Sequence, residues 1–358
     1  MAEEKIDALI PQSPNALEKT SDGARGILST MVSDALVLAR NNSLTAPRFR
    51  IGNHDLREPD YRQILLWAKA LELDPEEVIR RLEDCTLETW RYQDDQRLDV
   101  KLTSRIENGS IVALAWDFDL LPLTLFEWVD GLVILEAGFV GSPTPSRLSL
   151  RLPLLTFLLC DELELVELNL TNVPELIGLN VNRNQLAKLD LSHVPKLIWL
   201  NCYDNKLTEL DLFSVPGLTY LSCGSNKLTK LDLSSVPGLT KLMCHTNLLT
   251  WLDLSDVPGL TFLACGKNKL TELDLSNVPR ITEIWCSDNQ LTEFDPSKVP
   301  ELTKLYVEGN KIMKLDISHL KYLIKFCCDL FVLVATSPTQ KLARDNGRKY
   351  RKFLLGSD

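Results

Sequence analysis

From residue 155 to residue 336 the apolar positions of the chain keep a single beat. The stretch "LTYLSCGSNKLTKLDLSSVPG", residues 218 to 238, is followed at once by "LTKLMCHTNLLTWLDLSDVPG", residues 239 to 259, and the two match position for position. Within each, a leucine, a polar residue and a cysteine alternate, as in Leu221-Ser222-Cys223. Alternation of period two predicts a short strand with one buried face, Leu221 and Cys223 inward, Tyr220 and Ser222 outward. Val236-Pro237-Gly238 then ends the unit, because proline continues neither a helix nor an interior strand.

The period is 21 residues, and nine units stand in register. One column reads Asn184, Asn205, Asn226, Asn247, Asn268, Asn289 and Asn310; another reads Cys160, Val181, Cys202, Cys223, Cys244, Cys265, Cys286, Val307 and Cys328. A fixed period of this length marks a solenoid whose units each contact only their neighbours. Written L-x-x-L-x-C-x-x-N-x-L-T-x-L-D-L-S-x-V-P-x, the unit resembles the leucine-rich repeat, with "LTYLSCGSNKL" on the family's L-x-x-L-x-L-x-x-N-x-L segment and cysteine in the third leucine's place. The resemblance, closest to bacterial proteins with cysteine-bearing 21-residue repeats, implies an α/β (α+β) solenoid, curved, with one strand per unit in a parallel sheet on its concave side. It also implies a ladder of asparagine amides.

Outside the regular units the pattern changes. "GSIVALAWDFDLLPLTLFEWVDGLVILEAGF" and "RLSLRLPLLTFLLC" look like degenerate units, and Asn108-Gly109 between two alternating runs signals a hairpin. Helical periodicity in "ARGILSTMVSDALVLARNN" and "DYRQILLWAKALELDPEEVIRRLED" predicts a small helical domain before them, with Asp74 as N-cap and Pro75 in the first turn of its last helix. The expected organisation is a helical domain over 1–95, a hairpin and capping repeats over 96–154, the solenoid over 155–336 and a loose basic tail over 337–358.

Composition narrows the function. A formal charge of -10 works against a sequence-independent grip on nucleic acid, which relies on lysines and arginines displacing counterions. The N-terminus has no cationic start followed by an apolar run, so the cytoplasm is the expected location. There the nine cysteines, without close C-x-x-C pairs, are expected to stay reduced.

Three rows invite chemistry and each has a structural explanation. The thiols stand one per coil and parallel, whereas a metal needs ligands converging on one point, so they are expected to act as small apolar core residues. The asparagines are expected to bond backbone at the bend of their own and the next coil. Asp190, Asp211, Asp232, Asp253, Asp274, Asp295 and Asp316 lack the loops that surround calcium with oxygens. They are expected on a wet face, partly offset by Lys188, Lys230 and Lys314, with the following serines bonding local backbone. Cys327-Cys328-Asp329 resembles the C-x-D motif of bacterial ubiquitin-ligase effectors, but without that family's helical catalytic domain. "ILLWAKALELDPEEVIRRL" resembles the closing helices of repressor-type DNA-binding domains, without a basic recognition helix. With His54, His193, His245 and His319 scattered and no cofactor motif present, neither catalysis nor a cofactor or metal is expected.

What varies between units is the outward side of the strand. Phe157, Trp199, Tyr203, Tyr220, Lys241, Met243, His245, Phe262, Glu283, Trp285, Lys304 and Tyr306 are expected to line the concave wall. Aromatic and methionine side chains in such numbers predict a surface for a protein or peptide partner. An exported effector acting on a host protein, and an adaptor touching nucleic acid through the N-terminal helices or basic tail, are the alternatives. No membrane association is expected.

Overall fold

The computed structural model describes residues 48–84, 86–93, 96–103, 105–107, 110–117, 134–138, 147–329, 332–336, 343–344 and 351–354. The helical segment expected at 24–42 and Cys85 lie outside these residues. The chain divides into two compact units, 1–145 with 150–163, and 146–149 with 164–358.

The first unit begins with a hairpin, β1 (Arg48–Ile51) against β2 (His54–Arg57), with Ile51 opposite His54. Gly52, at φ +53°, supplies the left-handed turn. Helices α1 (Glu58–Leu71) and α2 (Pro75–Asp84) follow. Ile64, Trp67 and Ala68 on α1 and Val78, Ile79 and Leu82 on α2 recur at three- and four-residue spacing and are buried. Asp74 caps α2 as expected, its Oδ1 accepting the Glu76 N–H at 2.8 Å. The helical segment ends at Asp84, however, not near 95: β3 (Thr86–Gln93) pairs antiparallel with β4 (Gln96–Thr103), consistent with the β-branched and aromatic residues of "TLETWRYQ".

The expected hairpin around Asn108-Gly109 is present, with Glu107 of β5 (Arg105–Glu107) opposite Ser110 of β6 (Ser110–Asp117). Strand β6 then runs parallel to β7 (Ile134–Gly138), and β7 to β9 (Phe157–Leu159), so the degenerate units do contribute parallel strands. Buried Asp60 of α1 accepts the Ile111 N–H at 3.1 Å, tying the helices to this sheet.

The second unit holds β8 (Arg147–Arg151) and β10 (Glu167–Asn172), which pair with each other, and then the solenoid. Its sheet consists of β11 (Gly178–Asn180), β12 (Trp199–Asn201), β13 (Tyr220–Ser222), β14 (Lys241–Met243), β15 (Phe262–Ala264), β16 (Glu283–Trp285) and β17 (Lys304–Tyr306). All pair in parallel and in sequence order, each residue opposite the one 21 positions on, as in Tyr220 opposite Lys241. On the return side lies β18 (Lys314–Asp316), and β19 (Lys325–Cys327) adds to the main sheet. In each regular unit the return makes two tight i to i−3 bonds, such as Val215 N–H to Leu212 O and Leu218 N–H to Val215 O, both 3.1 Å.

The expectation of a loose tail is corrected. Strands β20 (Leu333–Thr336) and β22 (Arg351–Leu354) continue the β18 sheet, and β21 (Ala343–Arg344) pairs with β19. The unpaired N–H and C=O groups of β19 and β20 draw the following chain onto them, and a basic segment suits an edge strand because its charges oppose further pairing.

Each asparagine bridges two coils. Asn226 Oδ1 accepts the Leu207 N–H at 2.9 Å, while its Nδ2 donates to the carbonyls of Cys202, Cys223 and Gly224 at 3.0, 3.1 and 3.1 Å. The bridge runs to the preceding coil, not the next one as the sequence suggested, because the amide follows its strand and faces back along the stack. The residue before each asparagine is left-handed, from Arg183 at φ 52° to Asp288 at φ 56°, although only Gly309 is a glycine. A non-glycine residue there costs about 1–2 kcal/mol, so the ladder must impose the bend. Replacing Asn226 by Ala leaves a buried N–H and two coil-bridging acceptors short of partners. We expect a loss of about 3 kcal/mol, measured as a drop in urea midpoint, and an unchanged midpoint would show that the ladder does not hold the coils together.

Candidate functional site: the outward face of the strands

The rows that look most like chemistry are structural. Cys202, Cys223, Cys244, Cys265 and Cys286 are fully buried and unbridged. Burial pushes the Cys202 and Cys265 thiols up to about 12 and the Cys223, Cys244 and Cys286 thiols well above their ordinary value, so they stay protonated. Val181 fills the same position, and its carbonyl accepts from Asn184 and Asn205 just as that of Cys202 accepts from Asn205 and Asn226. The position asks for a small apolar side chain and a backbone acceptor. Cys160 and Cys328 are buried in the same way.

The ladder runs unbroken through Asn184, Asn205, Asn226, Asn247, Asn268, Asn289 and Asn310, each accepting a backbone N–H of the preceding coil. The aspartates are exposed and close turns: each accepts the backbone N–H two residues on, at 2.9 Å, from Asp190 to Asp316. Hydrogen bonds from the serine hydroxyl and backbone N–H hold the carboxyls of Asp190, Asp232 and Asp274 below the usual range. Asx turns, not the nearby lysines, account for the row.

A threonine ladder escaped the sequence reading. Thr219, Thr240, Thr261, Thr282 and Thr303 each donate a hydroxyl to the carbonyl at the equivalent position of the preceding coil, at 2.9–3.2 Å. The signal was there, in the threonine that follows the first leucine of these units. These hydroxyls line one margin of the strands and leave the outward positions as the variable surface.

On that surface the register sets residues side by side. Trp199 and Tyr220 stack at 5.3 Å and 18°. Trp285 meets Phe262 at 5.7 Å on one side and Tyr306 at 5.4 Å on the other. Tyr203 and His245 are two coils apart yet lie 5.5 Å from each other, because Gly224 stands between them. A Cβ at Gly224 would come within 2.9 Å of His245 Cε1. Lys304 Nζ pairs with Glu283 Oε1 at 2.8 Å across adjacent strands. Two aromatic groups therefore flank a central coil that presents Lys241, Met243 and His245, all half-buried.

Of the predicted wall, two residues differ in exposure. Phe157 is fully buried within the first unit, where all three residues of β9 are buried, and offers no surface. Trp199 is on the outward side but only 7% exposed, covered in part by the Tyr220 ring. Its Nε1, like Trp285 Nε1 and His245 Nδ1, is buried without a hydrogen-bond partner. Cys327, on the outward phase of β19, is half-buried.

Two measurements follow. With an excess of a thiol-reactive disulfide at neutral pH, Cys327 is expected to react in the native protein, while the buried column reacts only after denaturant is added; native labelling of Cys223 or Cys244 would contradict the packed ladder. Burial, and secondarily Lys267, holds the His245 imidazole below its ordinary value. The unfolded chain takes up that proton near about pH 6.5 and the folded chain resists it, so stability falls as pH drops from about 7.5 to about 5.5. His245→Gln should flatten this part of the pH profile of urea midpoints, and an unchanged slope would contradict the assignment.

The family model for leucine-rich repeats in two copies matches residues 195–235. A comparison with curated proteins gives no match. Among solved structures the chain is similar to the functional domain of InlJ from Listeria monocytogenes, described as including a cysteine ladder, at 33% identity over 50% of this chain and 49% of that one, TM-score 0.36. It thus spans about half the length of that domain. It is also similar to the leucine-rich repeat domain of APL1B, at 23% identity over 60% and 66%, TM-score 0.50. A third is YopM, a leucine-rich effector protein from Yersinia pestis, at 28% identity over 57% and 59%, TM-score 0.49. With its 21-residue period, parallel one-strand units and asparagine ladder, the chain is a leucine-rich repeat protein whose cysteine-bearing units are like those of bacterial members.

Proposed function

We propose that this protein is a non-enzymatic scaffold, working in the cytoplasm, that holds a protein or peptide on the outward face of β12 to β19. Leucine-rich repeat arrays generally serve as extended binding surfaces. The observation that carries the reading here is the contiguous run of Trp199, Tyr220, Met243, Phe262, Trp285 and Tyr306 on neighbouring strands. Side chains of these types dominate interface energetics, and a fixed sheet presents them with little ordering cost. The thiols support the same reading against catalysis, since burial keeps them protonated.

A photo-crosslinking residue placed at Met243, with Ser234 on the exposed return side as control, tests the location directly. Adducts with a cellular protein are expected from position 243 and not from 234. Adducts from 234 alone would move the site elsewhere. Once the partner is in hand, Tyr220→Ala combined with Tyr306→Ala should weaken its binding at least about tenfold while shifting the urea midpoint little.

A further inference from the structure

The middle of the face has an unbalanced charge. The strands β13, β14 and β15 and the bends that follow them, residues 220–225, 241–246 and 262–267, carry Lys241, His245 and Lys267 and no aspartate or glutamate. The next carboxylate along the first outward column, Glu283, is already engaged by Lys304 at 2.8 Å. Among the described residues Lys241 makes no ion pair. It stands between Tyr220 and Phe262 on the adjacent strands, half-buried, where an opposing carboxylate would be partly shielded from water.

The flanking anchors are evenly placed. Trp199 on β12 and Trp285 on β16 each lie two strands from the Lys241 strand, β14. At about 4.8 Å per strand, each step is about 9.6 Å. A chain in polyproline II conformation brings the same face round every third residue, an advance of about 9.3 Å, and carries no internal hydrogen bonds. A β-strand would present its third residue to the opposite side. Buried indole N–H groups normally have a partner, and those of Trp199 and Trp285 have none. The free carbonyls of such a chain would take them up as the rings turn outward.

We propose that the occupant of this face is an acidic segment in polyproline II conformation, lying across the strands, with a carboxylate on Lys241 and an apolar side chain three residues to either side, against Trp199 and Trp285. This identification rests on the scaffold reading above and adds the chemistry of the partner to it.

The test uses the full chain and three fluorescein-labelled peptides read by anisotropy: Trp-Pro-Pro-Glu-Pro-Pro-Trp, its counterpart with Lys at the centre, and the shortened Trp-Pro-Glu-Pro-Trp. The glutamate peptide is expected to bind at least about fivefold more tightly than the other two. Lys241→Glu should reverse the order of the two long peptides, and Lys241→Gln should abolish the difference between them without disturbing the fold. Equal affinities for the two long peptides, an unreversed order in Lys241→Glu, or equal binding of the short peptide would overturn the proposal. Binding of a labelled oligothymidylate that Lys241→Glu abolishes would also overturn it, by assigning the face to nucleic acid. The scaffold reading fails separately: if crosslinks form at position 243 while the peptides do not discriminate, the scaffold stands and the acidic partner falls.

Discussion

A single buried amide per coil sets the terms for the rest of the solenoid. Each asparagine side chain accepts an N–H of the preceding coil and donates to carbonyls of both coils, as Asn247 does with Leu228 N–H and with the carbonyls of Cys223 and Cys244. In the dry interior these bonds have no water to compete with, and leaving any of them unmade carries the full desolvation cost of the group. The amide can reach both coils only if the chain turns sharply just before it. Ser225, Thr246 and Lys267 therefore take left-handed backbone that their side chains disfavour. The strain recurs coil after coil because the ladder repays it coil after coil.

The same geometry explains the cysteines. The residue three before the asparagine contributes its carbonyl to two amides at once, as Cys202 does to Asn205 and Asn226, so its backbone is pinned. Its side chain points into the narrowest part of the coil, where a thiol or the valine of 181 fits and a longer chain would push neighbouring coils apart. The cysteine column records volume, and its raised pKa is a consequence of that burial rather than a preparation for reaction.

How much of this was legible in the sequence depends on whether a residue acts through a repeated contact or through a single one. Leu221, Cys223 and Asn226 repeat because every coil needs the same contact, so period alone placed them correctly. The β1–β2 hairpin happens once, and its only written trace is Gly52-Asn53 between "FRI" and "DLR", which helical periodicity nearby outweighed. The tail was misjudged for a related reason. Its basic composition suggests solvation, but β19 and β20 present open hydrogen-bonding edges, and backbone groups are indifferent to the charge of the side chains that accompany them. The burial of Phe157 and Trp199 was likewise invisible, since period two fixes the side of a sheet on which a residue lies and says nothing of what covers it.

The ladder also bears on why the outward face can vary as it does. Because leucines, cysteines, threonines and asparagines hold each coil to the next, the first and third strand positions are relieved of any packing duty toward the core. Position 241 can be lysine where its neighbours are tyrosine and phenylalanine, and position 224 can be glycine so that Tyr203 reaches His245. Such a surface is held on a backbone that does not yield, so its aromatic groups are positioned before any partner arrives and little of the binding energy is lost in ordering them. The rigidity that makes the cysteines and asparagines poor candidates for chemistry is what makes the residues between them good candidates for recognition.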